Sequence, residues 1–233
     1  MTSNEVLFGV VPYVVTVLAI VVTIVRWRHL PFSISSLSSQ LLESRKLYWG
    51  SVPFHWGLTL ILTGHLAALI VPRGFEIWNG APLRLYLLEI TGLALGLWAA
   101  FGVAVLMYRR FSDHRVRRVT TAMDGVVLVV IAAQIVTGIW IAIGYRWGSY
   151  WGTSVFVPYI RSLLVFQPDP SYVNPLPLVL KLHVLSFFVF LGVFPFSRLI
   201  HIVTLPIQYL FRPWQKVVAN RYPAPRGYVS KGR

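Results

Sequence analysis

The sequence predicts an all-α integral membrane protein, a bundle of five transmembrane helices, on three observations. Of its 233 residues, 56% are hydrophobic, above the roughly 45–50% of soluble domains. That excess is gathered in long runs almost free of charge, the pattern that a hydrocarbon core about 30 Å thick imposes on a helix crossing it. The basic residues lie between these runs, in short loops and a C-terminal tail, where Lys and Arg orient membrane spans.

The first span runs from about Leu7 to Val25 and is closed by Arg26, Trp27 and Arg28. It has no basic leader and no small-residue cleavage site after it, so it reads as a retained helix. A Ser-rich stretch, Ser33 to Lys46, is too polar to span and reads as a loop with a surface helix. The second span, Ser51 to Val71, stops at Pro72, Arg73 and Gly74. The third, Leu85 to Tyr108, ends at Arg109 and Arg110 before a basic loop, Phe111 to Val119. The fourth runs from Ala122 to Tyr145, followed by a long connection, Arg146 to Pro175, rich in Trp, Tyr and Pro. The fifth runs from Pro177 to Thr204, and its interior Pro195 is expected to kink or break it. Residues 1–210 therefore form the bundle and 211–233 a basic tail.

With the N-terminus outside, only Arg73, Arg84, Arg146, Arg161 and Lys181 of the 21 basic residues fall on the outer side. This places the C-terminus in the cytoplasm. The net charge of +14 is thus accounted for by orientation beside membrane lipids, with no nucleic-acid partner. There are no cysteines, which excludes disulfides, Cys-ligated iron–sulfur clusters and c-type haem attachment within this chain.

Six histidines remain to be explained. His29 and His114 sit in basic loops and read as solvated. His55, His65, His183 and His201 lie in or at the ends of spans two and five, and ionisable groups in membrane helices are costly and usually functional. The two spans are antiparallel, so His55 matches His201 in depth near the inner face, and His65 matches His183 toward the outer face. At about 1.5 Å per residue, His55 and His65 are about 15 Å apart and His183 and His201 about 27 Å. Eighteen residues return His183 and His201 to one helical face; ten leave His55 and His65 about 80° apart. The spacing permits two stacked bis-histidine haems, and it equally permits hydrogen bonds between helices. Gly57, Gly64 and Gly192 either admit a flat macrocycle or mediate close helix packing.

Three segments carry a family resemblance: FHWGLTLILTGH (Phe54 to His65), FSDHRVRRVTTAMD (Phe111 to Asp124) and KLHVLSFFVFLGVFPFSRLIHIVTLPIQYL (Lys181 to Leu210). With them the sequence resembles the gamma subunit of respiratory nitrate reductase, a membrane cytochrome b subunit. The resemblance implies two b-type haems, a proximal one on His55 and His201 and a distal one on His65 and His183. It implies oxidation of quinol near the outer face, beside His65 and Gly64. Arg84 then stands where the family usually has Lys in the quinol pocket, and otherwise reads as an interfacial anchor of the helix's outer end; Glu89, one turn further in, reads as a satisfied buried carboxyl or as a second candidate for proton handling. Electrons are expected to move inward to an iron–sulfur beta subunit and a molybdenum alpha subunit on the cytoplasmic side of a prokaryotic cell membrane. Arg198, one turn before His201, is expected to pair with a propionate of the proximal haem. Two rivals stay open on sequence: a cytochrome b subunit of another quinone-linked molybdenum or sulfite-reductase-type complex, and a haem-free membrane anchor or transporter.

Overall fold

The computed structural model of the chain describes residues 2–30 and 44–202. The expected surface helix of the Ser-rich stretch, the last residues of the fifth span and the basic tail lie outside the described residues. Among those described, the structure is all-helical, and five helices are long and apolar enough to cross a membrane. They are α1 (Ser3–His29), α2 (Arg45–Ile70), α4 (Pro82–Ser112), α6 (Ala122–Gly144) and α8 (Leu178–Val193), the last continued by a 3-10 turn at Phe194–Phe196. Between them lie α3 (Pro72–Asn79), α5 (His114–Arg118) and α7 (Gly148–Leu164). Helices are the only open-ended solution in lipid, because each backbone N–H and C=O must find its partner within the segment.

Local chemistry sets the helix ends. Thr2 and Thr121 each begin a helix with a reciprocal capping box, to Glu5 and Asp124. Pro72 and Pro82 occupy first-turn positions, where a missing N–H costs nothing. Asp113 caps α5 by accepting the N–H groups of Arg115 (2.9 Å) and Val116 (3.1 Å).

At two of the prolines that fall within or end the helices, Pro12 and Pro195, a distant side chain bonds the backbone near the interruption. Pro12 has no N–H to offer the Phe8 carbonyl four residues back; α1 passes through a π-helical turn at Val6–Val10, and the buried Tyr159 hydroxyl donates to Phe8 O at 2.8 Å. Burial holds the Tyr159 pKa above its usual value, so this donor keeps its proton. Pro195 ends α8 as the sequence indicates, and Arg26 on α1 donates to the carbonyls of Pro195 and Ser197 beyond the break. The break has a further consequence. His201 sits in a separate 3-10 segment, Arg198–Ile202, so the same-face argument for His183 and His201, which needs one continuous α-helix, does not hold.

The extensive helix contacts run in the order α2–α4–α6–α8–α1. The tightest is α2 on α4, where glycines replace side chains. A Cβ added to Gly102 would fall 2.5 Å from the Phe54 amide nitrogen, and one added to Gly57 would fall 2.8 Å from the Leu95 carbonyl oxygen. Small residues let membrane helices approach closely enough for dispersion and backbone contacts to hold them. Phe54, Ala99 and Val103 pack there against Val127, Ile131 and Ile135 of α6. The outer faces stay apolar and exposed, as Val14, Val17, Ile20 and Val21 on α1 illustrate, and lipid is the solvent that suits them.

The connection Arg146 to Pro175 is more ordered than its composition suggests. It contains the 17-residue α7, which meets the N-terminal end of α1, the C-terminal end of α2 and the N-terminal end of α4. Tyr159 reaches Phe8, Tyr13 donates to the Leu163 carbonyl at 3.0 Å, and Arg161 donates to the Leu69 carbonyl at 3.3 Å. Its start is held by Glu89, which accepts the Ser149 amide at 2.8 Å and the Ser149 hydroxyl. Sequence periodicity did not reveal this helix because aromatics, glycines and Pro158 break up its apolar pattern.

Gly102→Ala is expected to destabilise the detergent-solubilised protein by about 1–3 kcal/mol through overpacking, read as an earlier unfolding midpoint in a denaturant titration. Gly92→Ala on the same helix meets nothing within 4 Å and should leave the midpoint unchanged or slightly raised. The Asp113 cap also makes a pH prediction. Its backbone hydrogen bonds, that from Val116 foremost, hold the carboxyl below its usual pKa. A depressed folded-state pKa adds stability above the unfolded-state pKa and loses it as pH falls through the folded one. A carboxyl carbon chemical-shift titration should therefore give an Asp113 midpoint below that of an unstructured peptide.

Candidate functional site

Of the four span histidines, α2 carries His55 and His65, both exposed, α8 carries the partly buried His183, and the 3-10 segment after Pro195 carries His201, whose backbone alone is described. His55 Nδ1 lies 2.8 Å from the Ser51 carbonyl oxygen, and His65 Nδ1 lies 2.8 Å from that of Ile61. A carbonyl only accepts, so each Nδ1 carries the proton and Nε2 keeps the lone pair. His183 Nδ1 lies 2.9 Å from Thr137 Oγ1 on α6. The Thr137 hydroxyl lies 2.8 Å from the Ala133 carbonyl and donates to it, so its oxygen accepts from His183, and the tautomer is again Nδ1–H. The Gln134 side-chain amide meets His183 Nε2 at 3.3 Å, and Gln134 Oε1 accepts the Ser186 hydroxyl. The network assigns one tautomer to all three rings.

This chemistry fits an imidazole that binds iron through Nε2 while Nδ1–H is held by an oxygen. The two helices that bear His65 and His183 are joined through α4 and α6, and no extensive direct packing links α2 to α8. Among the described residues, no three metal-ligating side chains converge.

The glycines divide. Gly57 meets Leu95 and Ala99, and Gly192 meets Val15, so both mediate helix packing. Nothing lies within 4 Å of a Cβ placed on Gly64, one residue before His65. Arg84 donates to the Ile77 carbonyl at 3.1 Å and lies over the Trp78 ring. Glu89 is occupied with Ser149, the satisfied structural carboxyl among its two expected roles. His29 and His114 are exposed, as expected.

Arg198 is engaged at the Asp124 end of the bundle. Its Nε lies 3.3 Å from Asp124 Oδ1, and its Nη2 donates to the Val119 carbonyl at 3.1 Å. Arg110 reaches the same carboxylate, with Nη1 3.1 Å from Oδ2. The buried Asp124 therefore holds two guanidiniums and caps α6 at the same time, joining the basic loop to the segment that carries His201. Sequence reasoning passed over Asp124, Gln134 and Thr137. A signal existed for Gln134, a lone amide in an otherwise apolar span. Asp124 looked like an ordinary helix-start acid.

A profile described as nitrate reductase gamma subunit matches residues 4–220. The chain is 32% identical over 217 residues to the nitrate reductase gamma chain of Bacillus subtilis (strain 168), covering 91% of this chain and 96% of that one. It is 28% identical over 221 residues to the respiratory nitrate reductase 1 gamma chain of Escherichia coli (strain K12), covering 93% and 98%. The nitrate reductase-like protein NarX of Mycobacterium tuberculosis (strain ATCC 25618 / H37Rv) is 33% identical over 236 residues; the match takes in 97% of this chain and 36% of that protein.

Replacing Asp124 by Asn should remove the carboxylate that Arg110 and Arg198 share. The expected loss is roughly 3 kcal/mol, the lower end for one partner of a buried ion pair. An unfolding midpoint within error of the parent's would show that the triad contributes nothing to stability.

Proposed function

Because the chain belongs to the nitrate reductase gamma subunit family, we propose that it is the membrane dihaem cytochrome b subunit of a nitrate reductase, oxidising quinol near its outer face and delivering electrons to an iron–sulfur subunit on the cytoplasmic side. The observation that carries this reading is the shared tautomer of His55, His65 and His183, each with Nδ1–H held by an oxygen and Nε2 basic. His65 and His183 are the ligands of the distal haem, His55 and His201 those of the proximal one. A b-type haem with two imidazole ligands supplies, when bound, a one-electron carrier without an open position for oxygen.

The chain's own residues orient and neutralise. The Ser51 and Ile61 carbonyls fix the rings on α2. Arg198 and Arg110 both reach the Asp124 carboxylate, and Arg198, three residues before His201, is placed to meet a haem propionate there as well. At the other end, Gly64 leaves space beside His65 for a quinol ring. Arg84, at the start of α4, offers a guanidinium donor to a quinol oxygen, an anchor and not a proton carrier. The orientation follows from the positive-inside bias, with Arg115, Arg117 and Arg118 exposed on the inner loop. That loop, together with the tail 211–233, is the docking surface for the iron–sulfur beta subunit, behind which a molybdenum alpha subunit reduces nitrate. Residues 1–210 form the dihaem unit, in the cell membrane.

The test is a reduced-minus-oxidised spectrum of the purified membrane complex with haem quantitation per chain. Two b-type haems are expected, one lost in His65→Ala and the other in His55→Ala. A haem-free complex of verified integrity would sink the proposal, as would a haem content indifferent to both substitutions.

A further inference from the structure

The outer histidine pair is built from two different supports. His65 is oriented by its own helix, through the Ile61 carbonyl four residues back. His183 is oriented from outside its helix. Its Nδ1 meets Thr137 Oγ1 at 2.9 Å, and the ring lies flush against Gly138, where an added Cβ would stand 3.2 Å from Cε1. The Thr137 hydroxyl has its proton committed to backbone carbonyls of its own helix, Ala133 at 2.8 Å and Gln134 at 3.1 Å, so its oxygen is left as an acceptor of fixed direction. Gln134, one turn before Gly138, is itself fixed by Ser186 on α8. Helix α6 thus presents a bed for the His183 ring: an acceptor for Nδ1–H and a glycine beneath the ring.

We propose that Thr137 is the positioning residue of His183: it sets the tautomer and the rotation of that imidazole, and through them the reduction potential of the outer haem. This inference rests on the haem reading above. An oxygen acceptor on Nδ1–H raises the electron density at Nε2, which favours the oxidised iron. Removing the acceptor therefore raises the potential, and frees the ring to rotate about its bond to the helix. His55 and His65 do not depend on α6 in this way, so the effect is confined to one haem.

The experiment is a potentiometric titration of the complete membrane complex, followed by the haem absorption band and by low-temperature electron paramagnetic resonance. Parent, Thr137→Val and Thr137→Ser are compared. Valine keeps the shape and removes the oxygen; serine restores it. The outer component is identified as the one missing from His65→Ala. In Thr137→Val that component should titrate at higher potential with a changed low-spin signal, the other component should stay in place, and Thr137→Ser should return both to the parent pattern. With two haems present, an unshifted outer component in Thr137→Val overturns the positioning role alone, and so does a serine variant that behaves like valine. A parent complex without haem overturns this inference together with the reading beneath it.

Discussion

The close approach of α2 to α4 is the constraint from which the rest of the arrangement follows. Gly50 and Gly57 on one helix face Gly102 and Ala99 on the other, near enough that no Cβ fits at Gly57 or Gly102 without a shift. In lipid no hydrophobic force drives two helices together, so backbone proximity and packing have to do it. The contact also fixes the rotation of α2. Gly50, Pro53, Phe54 and Gly57 are turned into the bundle, and His55 and His65 are left exposed away from it. A bulkier residue at Gly57 would push α2 outward and change where both imidazoles stand.

The second organising demand is that backbone groups find partners where helices break or begin. Three interruptions are answered by side chains far away in sequence: Tyr159 at Phe8, Arg26 at Pro195 and Ser197, and Glu89 at the start of α7. Each repair also fastens two elements together. Arg26 ties α1 to the segment leading to His201, and Tyr159 ties α7 to α1. Asp124, with two arginines and a helix cap, likewise concentrates several contacts in one side chain.

The histidines show how one chemical outcome is reached by unlike means. On α2 the ring nitrogen returns to a carbonyl four residues back, a contact that helical geometry supplies wherever a histidine takes the right rotamer. On α8 the equivalent contact comes from another helix, which makes His183 sensitive to the α6–α8 packing in a way that His55 and His65 are not.

Much of this was legible in the sequence. The five spans, the order of the loops and the break at Pro195 follow from hydropathy and from proline's missing N–H, which are properties of short stretches of chain. The four span histidines stand out for the same reason: a polar ring in an apolar run is visible without any fold. Helix α7 was not legible, because its stability comes from what it touches at the ends of α1, α2 and α4 and not from its own pattern. Nor were the parts played by Gly57 and Gly64, chemically identical residues one of which meets a backbone while the other meets nothing. The partners of Arg198 and Glu89, and the hold of Thr137 on His183, lie 46 to 79 residues away in the chain, 60 in the case of Glu89 and Ser149. Local sequence determined which groups enter the membrane; only the packing of helices decided which of them face each other, because hydrogen bonds and close contacts are set by distances of about 3 Å that sequence separation does not encode.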